Sequence, residues 1–73
     1  MTLPKYPNLQ AEIARLGITV VSLADALGIS RQALYNKLRG TTDFTLTELR
    51  LIQDYLSKEA GGGFTLDYLF KVD

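Results

Sequence analysis

The sequence predicts an all-α fold of four to five short helices. Apolar residues recur every three or four positions in successive stretches: Leu9, Ile13 and Leu16; Leu23 and Leu27; Leu34 and Leu38; Leu49, Ile52 and Leu56. Each stretch closes on a glycine, at Gly17, Gly28, Gly40 and Gly61, which is where helices tend to stop. With 73 residues, 47% of them hydrophobic, the chain has material for a single core and is expected to form one domain over residues 1–73.

Residues 1–7 contain two prolines and predict a short non-helical arm, either packed across the domain or frayed. Asn8 after Pro7 is a suitable N-cap for the first helix, whose stripe of Leu9, Ile13 and Leu16 makes it a core buttress.

The stretch from Thr19 to Gly40, TVVSLADALGISRQALYNKLRG, predicts two short helices pinned by the turn Gly28-Ile29-Ser30. Thr19 suits the cap of the first helix and Ser30 that of the second. Gly28 supplies the left-handed turn residue, and Ile29 is expected to drop between the helices and fix their angle. Projected at about 100° per residue, Ala33, Leu34, Lys37 and Leu38 share the core side of the second helix. Arg31, Gln32, Tyr35, Asn36 and Arg39 fall on the outward side. Two guanidiniums, two amides and a phenol are groups that read base edges and grip phosphates.

The hairpin resembles the helix-turn-helix of the phage Cro and C1 repressor family, on Leu23-Ala24, Gly28-Ile29-Ser30, Leu34 and Arg39-Gly40. The resemblance covers roughly residues 8–56 and implies a compact, lambda-repressor-like DNA-binding domain. It places Ala24 where the two helices cross and puts Ile29 and Leu34 in the core. The helix from Arg31 to Arg39 becomes the recognition helix in the major groove. Arg31, Gln32, Tyr35 and Asn36 would then contact bases, while Thr19, Lys37, Arg39, Thr41 and Thr42 would contact phosphates. Thr41 and Thr42 are equally well explained as turn residues, and Lys5 and Tyr6 become candidates to reach DNA as repressor arms do. The chain departs from the family at two positions. Val20, expected to be exposed, stands where the family usually has a Gln that touches phosphate and braces the recognition helix. Lys37 stands where an aliphatic residue is usual, and is expected to lay its stem on the core and send its ammonium out.

A fourth helix starts at a capping box of Thr45 and Glu48, with Phe44 and Leu49 in the staple positions. Its stripe of Leu49, Ile52 and Leu56 is widened by Leu46, Leu51 and Tyr55, which marks it as the centre of the domain. Gly61-Gly62-Gly63 stops it and predicts a flexible hinge. In the tail, residues 61–73, FTLDYLFKVD alternates as a strand would. Thr65 as N-cap with Leu66, Leu69 and Phe70 instead suits one helical turn, and the helical turn is preferred because a lone strand leaves its backbone unpaired. The apolar residues of the tail either close the core or, with Tyr55, Phe64, Leu66 and Phe70, supply a dimer surface.

Cysteine and histidine are both absent, which removes disulfides, thiolate and imidazole catalysis and the usual zinc sites. No catalytic residue, cofactor, metal or small-molecule substrate is expected, since nothing places a nucleophile beside a base. No apolar run approaches the ~20 residues that cross a membrane, and a cytoplasmic protein is the natural expectation. The net charge is zero, yet it is unevenly spread. Residues 26–42 carry Arg31, Lys37 and Arg39 with no acid, for +3, whereas residues 43–73 sum to −3. The basic excess therefore sits on the proposed recognition element.

Two functions fit. The first is a sequence-specific regulator of double-stranded DNA, Cro/C1 repressor in type, binding a pseudo-palindromic site as a homodimer. The second keeps the helical fold as a protein-protein interaction module without DNA binding, which the neutral charge and Val20 would tolerate.

Overall fold

A computed structural model describes residues 5–72, so residues 1–4 of the expected arm, and Asp73, lie outside the described residues. Five helices follow in order: α1 (Pro7–Arg15), α2 (Val20–Leu27), α3 (Arg31–Arg39), α4 (Leu46–Ala60) and α5 (Leu66–Leu69). No strand occurs among the described residues, and the tail takes the helical turn.

Four of the five starts are local capping events. Thr19, Ser30, Thr45 and Thr65 sit in extended backbone, and each side-chain oxygen accepts from the N–H three residues on. Thr45 and Glu48 complete the capping box in both directions. The first helix differs from expectation. Pro7 occupies its first turn, where a missing N–H costs nothing, and so the helix begins before Asn8. The Asn8 amide instead donates to the Tyr68 carbonyl at 2.9 Å, tying α1 to α5.

Leu9, Leu23, Leu34, Ile52, Leu56 and Leu69 are fully buried and come from all five helices. Each contributes roughly 1.5–3 kcal/mol by leaving water. Tyr6, Phe44 and Phe70 form an aromatic triad over one end of this core, with centroids 5.5–5.7 Å apart. Tyr6 is only 7% exposed, so the expectation that it reaches DNA from a free arm is corrected: it is a core residue. Ile29 packs against the core but stays half-buried.

On α4 the buried stripe is narrower than expected. Leu46 and Leu51 are 58% and 40% exposed, on a side of the helix that α2 and α5, its main packing partners, leave uncovered. Past its end, the Gly62 N–H donates to the Ser57 carbonyl, the Phe64 N–H to Ser57 Oγ, and Gln53 Nε2 to the Phe64 carbonyl. The triple glycine is thus a turn fastened on both sides rather than the free hinge expected.

The half-buried Glu12–Tyr68 contact completes the closure of α5 on α1. Tyr68 donates its hydroxyl to Glu12 Oε2 at 2.8 Å, and Arg15 pairs with the other carboxylate oxygen. The Tyr68 hydroxyl, then the Arg15 guanidinium, holds the Glu12 carboxyl below its ordinary value of 4.5. The same bond raises Tyr68 above 10.0. A lowered carboxyl stabilises the fold above its unfolded pKa and ceases to as pH falls through the folded one; a raised phenol does so below its unfolded pKa and fails as pH rises. The α1–α5 closure should therefore hold between about pH 5 and 10 and loosen on both sides. Tyrosine fluorescence should stay level across that range in wild type and change below and above it, and Glu12→Gln should lose the acid limb; an unchanged acid limb would refute the linkage.

Candidate nucleic-acid interface

The helix-turn-helix rests on the αL turn residue Gly28, φ 70°, whose neighbour Ile29 returns its N–H to the Ala24 carbonyl. Ala24, buried and small, lets α2 and α3 approach. Leu34 and Leu38 anchor α3 in the core. Anchoring on that side leaves Arg31, Gln32, Tyr35 and Arg39 exposed on the other, Tyr35 at 47%, with Asn36 half-buried among them.

The groups on this face are not all free. Asn36 Oδ1 accepts from Gln32 Nε2 at 3.2 Å and from Arg39 Nη2 at 2.6 Å. Arg31 has no ion-pair partner among the described residues. Lys37 differs from expectation. Its ammonium turns inward to Glu48 Oε1 at 2.9 Å and the Asp43 carbonyl at 3.0 Å, with the Phe44 ring centroid 5.9 Å away. Its side chain is 15% exposed and that of Glu48 13%, so Lys37 locks α3 to the start of α4 and is withdrawn from the outward face. Burial pushes the Glu48 carboxyl up, but the Thr45 N–H and the Lys37 ammonium outweigh it and leave the carboxyl lowered.

At the start of α2, Thr19 Oγ1 accepts the Ser22 N–H at 3.1 Å and donates to Ser22 Oγ at 2.9 Å. The two hydroxyls therefore lie together at the exposed start of α2. Ser22 was legible as the residue three after a cap and was not singled out by sequence. Val20 packs half-buried against the core instead of being exposed as expected, while Val21 takes the outward position. A Gln at 20 would draw its amide toward apolar side chains, so the family brace has no ready place here.

Beyond α3, Gly40 sits at φ 87°, and a Cβ there would come 2.7 Å from Lys5 Cδ. Lys5 thus runs along the end of α3, its N–H on the Leu38 carbonyl and its ammonium 3.4 Å from Asp43. The Thr41 and Thr42 N–H groups donate to the Asn36 carbonyl, leaving both threonines exposed beside Arg39 in sequence. No helix among the described residues is long and apolar enough to cross a membrane.

A family model described as helix-turn-helix, of Cro/C1 type, matches residues 9–61, most of the chain and all of α2 and α3. It is a family of DNA-binding regulatory domains rather than enzymes. No curated protein and no solved structure gives a match.

Proposed function

The chain belongs to the Cro/C1-type helix-turn-helix family, and from that premise we propose that it is a sequence-specific repressor of transcription that inserts α3 into the major groove of double-stranded DNA. One observation carries the reading: core anchoring through Leu34 and Leu38 turns Arg31, Gln32 and Tyr35 outward together at the start and middle of a capped helix. These three meet bases. Arg39, Thr41, Thr42 and the α2 start at Thr19 and Ser22 meet phosphate, where free N–H groups and the helix dipole favour an anion. Lys37 is left out because Glu48 already holds it.

A domain whose longest extent is 31 Å matches one half-site in scale, half-sites one helical turn apart being ~34 Å from centre to centre. In this reading two copies pair as a homodimer on a pseudo-palindrome, in the cytoplasm. Of the proposed dimer residues, Tyr55, Phe64 and Phe70 are already packed on the core, which leaves Leu66 the most available.

Selection of duplexes from a random pool, followed by titration against salt, tests the reading. Arg39→Ala should weaken binding to every duplex and lower the salt slope by roughly 1, while Gln32→Ala should cost about 1–3 kcal/mol on the selected site only. If neither changes DNA binding, α3 is not the recognition helix.

A further inference from the structure

The specificity of a helix in the groove depends on which way its amides point, and on α3 that direction is set before any DNA arrives. Arg39 has donors only, so the Asn36 atom 2.6 Å from Arg39 Nη2 must be the carbonyl oxygen. The same oxygen lies 3.2 Å from the Gln32 amide, which must then present nitrogen to it. A donor-only guanidinium thus fixes the polarity of two carboxamides in series. Residues 32, 36 and 39 are spaced four and three apart on one helix face, so the arrangement needs no other element.

We propose that Asn36 is a positioning residue that braces the base-reading Gln32, rather than a base reader itself. Its oxygen is filled by two donors and has no lone pair left to offer a base, so Asn36 lacks the acceptor half of the bidentate contact by which an amide reads adenine. Gln32, held through one amide hydrogen, presents Oε1 and the other hydrogen outward as an acceptor beside a donor. That pair matches N6 and N7 of adenine in the major groove. Val20 stands where the family's brace would be, and the relay does the same task from within α3: it orders the reading side chain and so lowers the cost of ordering it on DNA. The proposal rests on α3 being the recognition helix, and its tests separate the two.

In the free chain, relaxation of the Gln32 side-chain NH2 by nitrogen-15 NMR should show restricted motion in wild type and in Asn36→Asp, which keeps the acceptor. Asn36→Ala should release it. Unchanged Gln32 motion in Asn36→Ala overturns the brace whether or not the protein binds DNA. On selected duplexes, discrimination at the base pair read by Gln32 should fall on the order of tenfold in Asn36→Ala. In Asn36→Asp it should persist, although the added negative charge lowers affinity for all duplexes. If Asn36→Ala leaves that base pair discriminated and relaxes a different one, Asn36 reads a base directly and the proposal fails. A wild-type chain that binds no duplex overturns the role in readout, and the NMR result then decides alone whether the brace exists.

Discussion

Glu48→Ala is expected to destabilise the domain by about 4 kcal/mol, a large share of the ~5–15 kcal/mol that holds a small protein folded. Two losses combine. The carboxylate accepts the Thr45 N–H at 2.8 Å in the capping box, and deleting a cap costs about 0.5–2 kcal/mol. It also neutralises Lys37, and removing one member of a buried pair costs about 3–5 kcal/mol; exposure of 13–15% places this pair toward the lower end. Lys37→Met should be far milder, about 1 kcal/mol, because methionine keeps an apolar stem against Phe44 while Glu48 retains Thr45 and a helix N-terminus. Denaturant unfolding of both variants measures the difference. If Glu48→Ala unfolds at the wild-type denaturant concentration, the pair contributes nothing.

The same pair bears on the proposed docking of α3 on DNA. A lysine turned inward releases no counterion, so Lys37→Met should leave the salt slope nearly unchanged where Arg39→Ala shifts it by roughly 1. This corrects the charge pattern in the sequence, which counts Lys37 with Arg31 and Arg39. Once Glu48 is paired with it, two guanidiniums remain as the free basic charge of α3. The repressor reading therefore rests more on hydrogen-bonding groups than on bulk charge.

What the sequence made legible is local. Thr19, Ser30, Thr45 and Thr65 each satisfy an N–H three residues away, and the αL turn residue Gly28 ends α2, so helix starts and the central turn follow from short patterns. The outward face of α3 follows equally from its 3.6-residue period. What stayed hidden depends on partners distant in sequence. Asn8 looks like a cap until Tyr68 takes its amide; Tyr6 looks like part of an arm until Phe44 and Phe70 enclose it. Leu46 and Leu51 look buried because periodicity reports an apolar stripe without reporting whether a neighbour covers its edge. The relay through Asn36 lay within reach, since Gln32, Asn36 and Arg39 have contact spacing, but its direction needed the donor-only chemistry of Arg39 at hydrogen-bonding distance.

Leu69→Ala carries the second large effect and separates the two roles open to the tail. Leu69 is fully buried beneath α5, where α1 and α4 both pack, and a Leu→Ala cavity in such a site costs about 2–5 kcal/mol. α5 is only four residues long and has no helical stability of its own, so losing its anchor should also release the Tyr68–Glu12 and Asn8–Tyr68 bonds. The loss should be the same in dilute and concentrated protein, because a core defect is intramolecular. A residue acting only across a twofold axis would behave otherwise: its substitution would lower the melting temperature by an amount that depends on concentration. Leu66→Ala is the matched comparison, half-buried on the same turn and outside the packed cluster. It should leave monomer stability within about 1 kcal/mol and weaken pairing on DNA. If Leu69→Ala melts like wild type at low concentration, and differs only where chains associate, then α5 belongs to a dimer and the core closes without it.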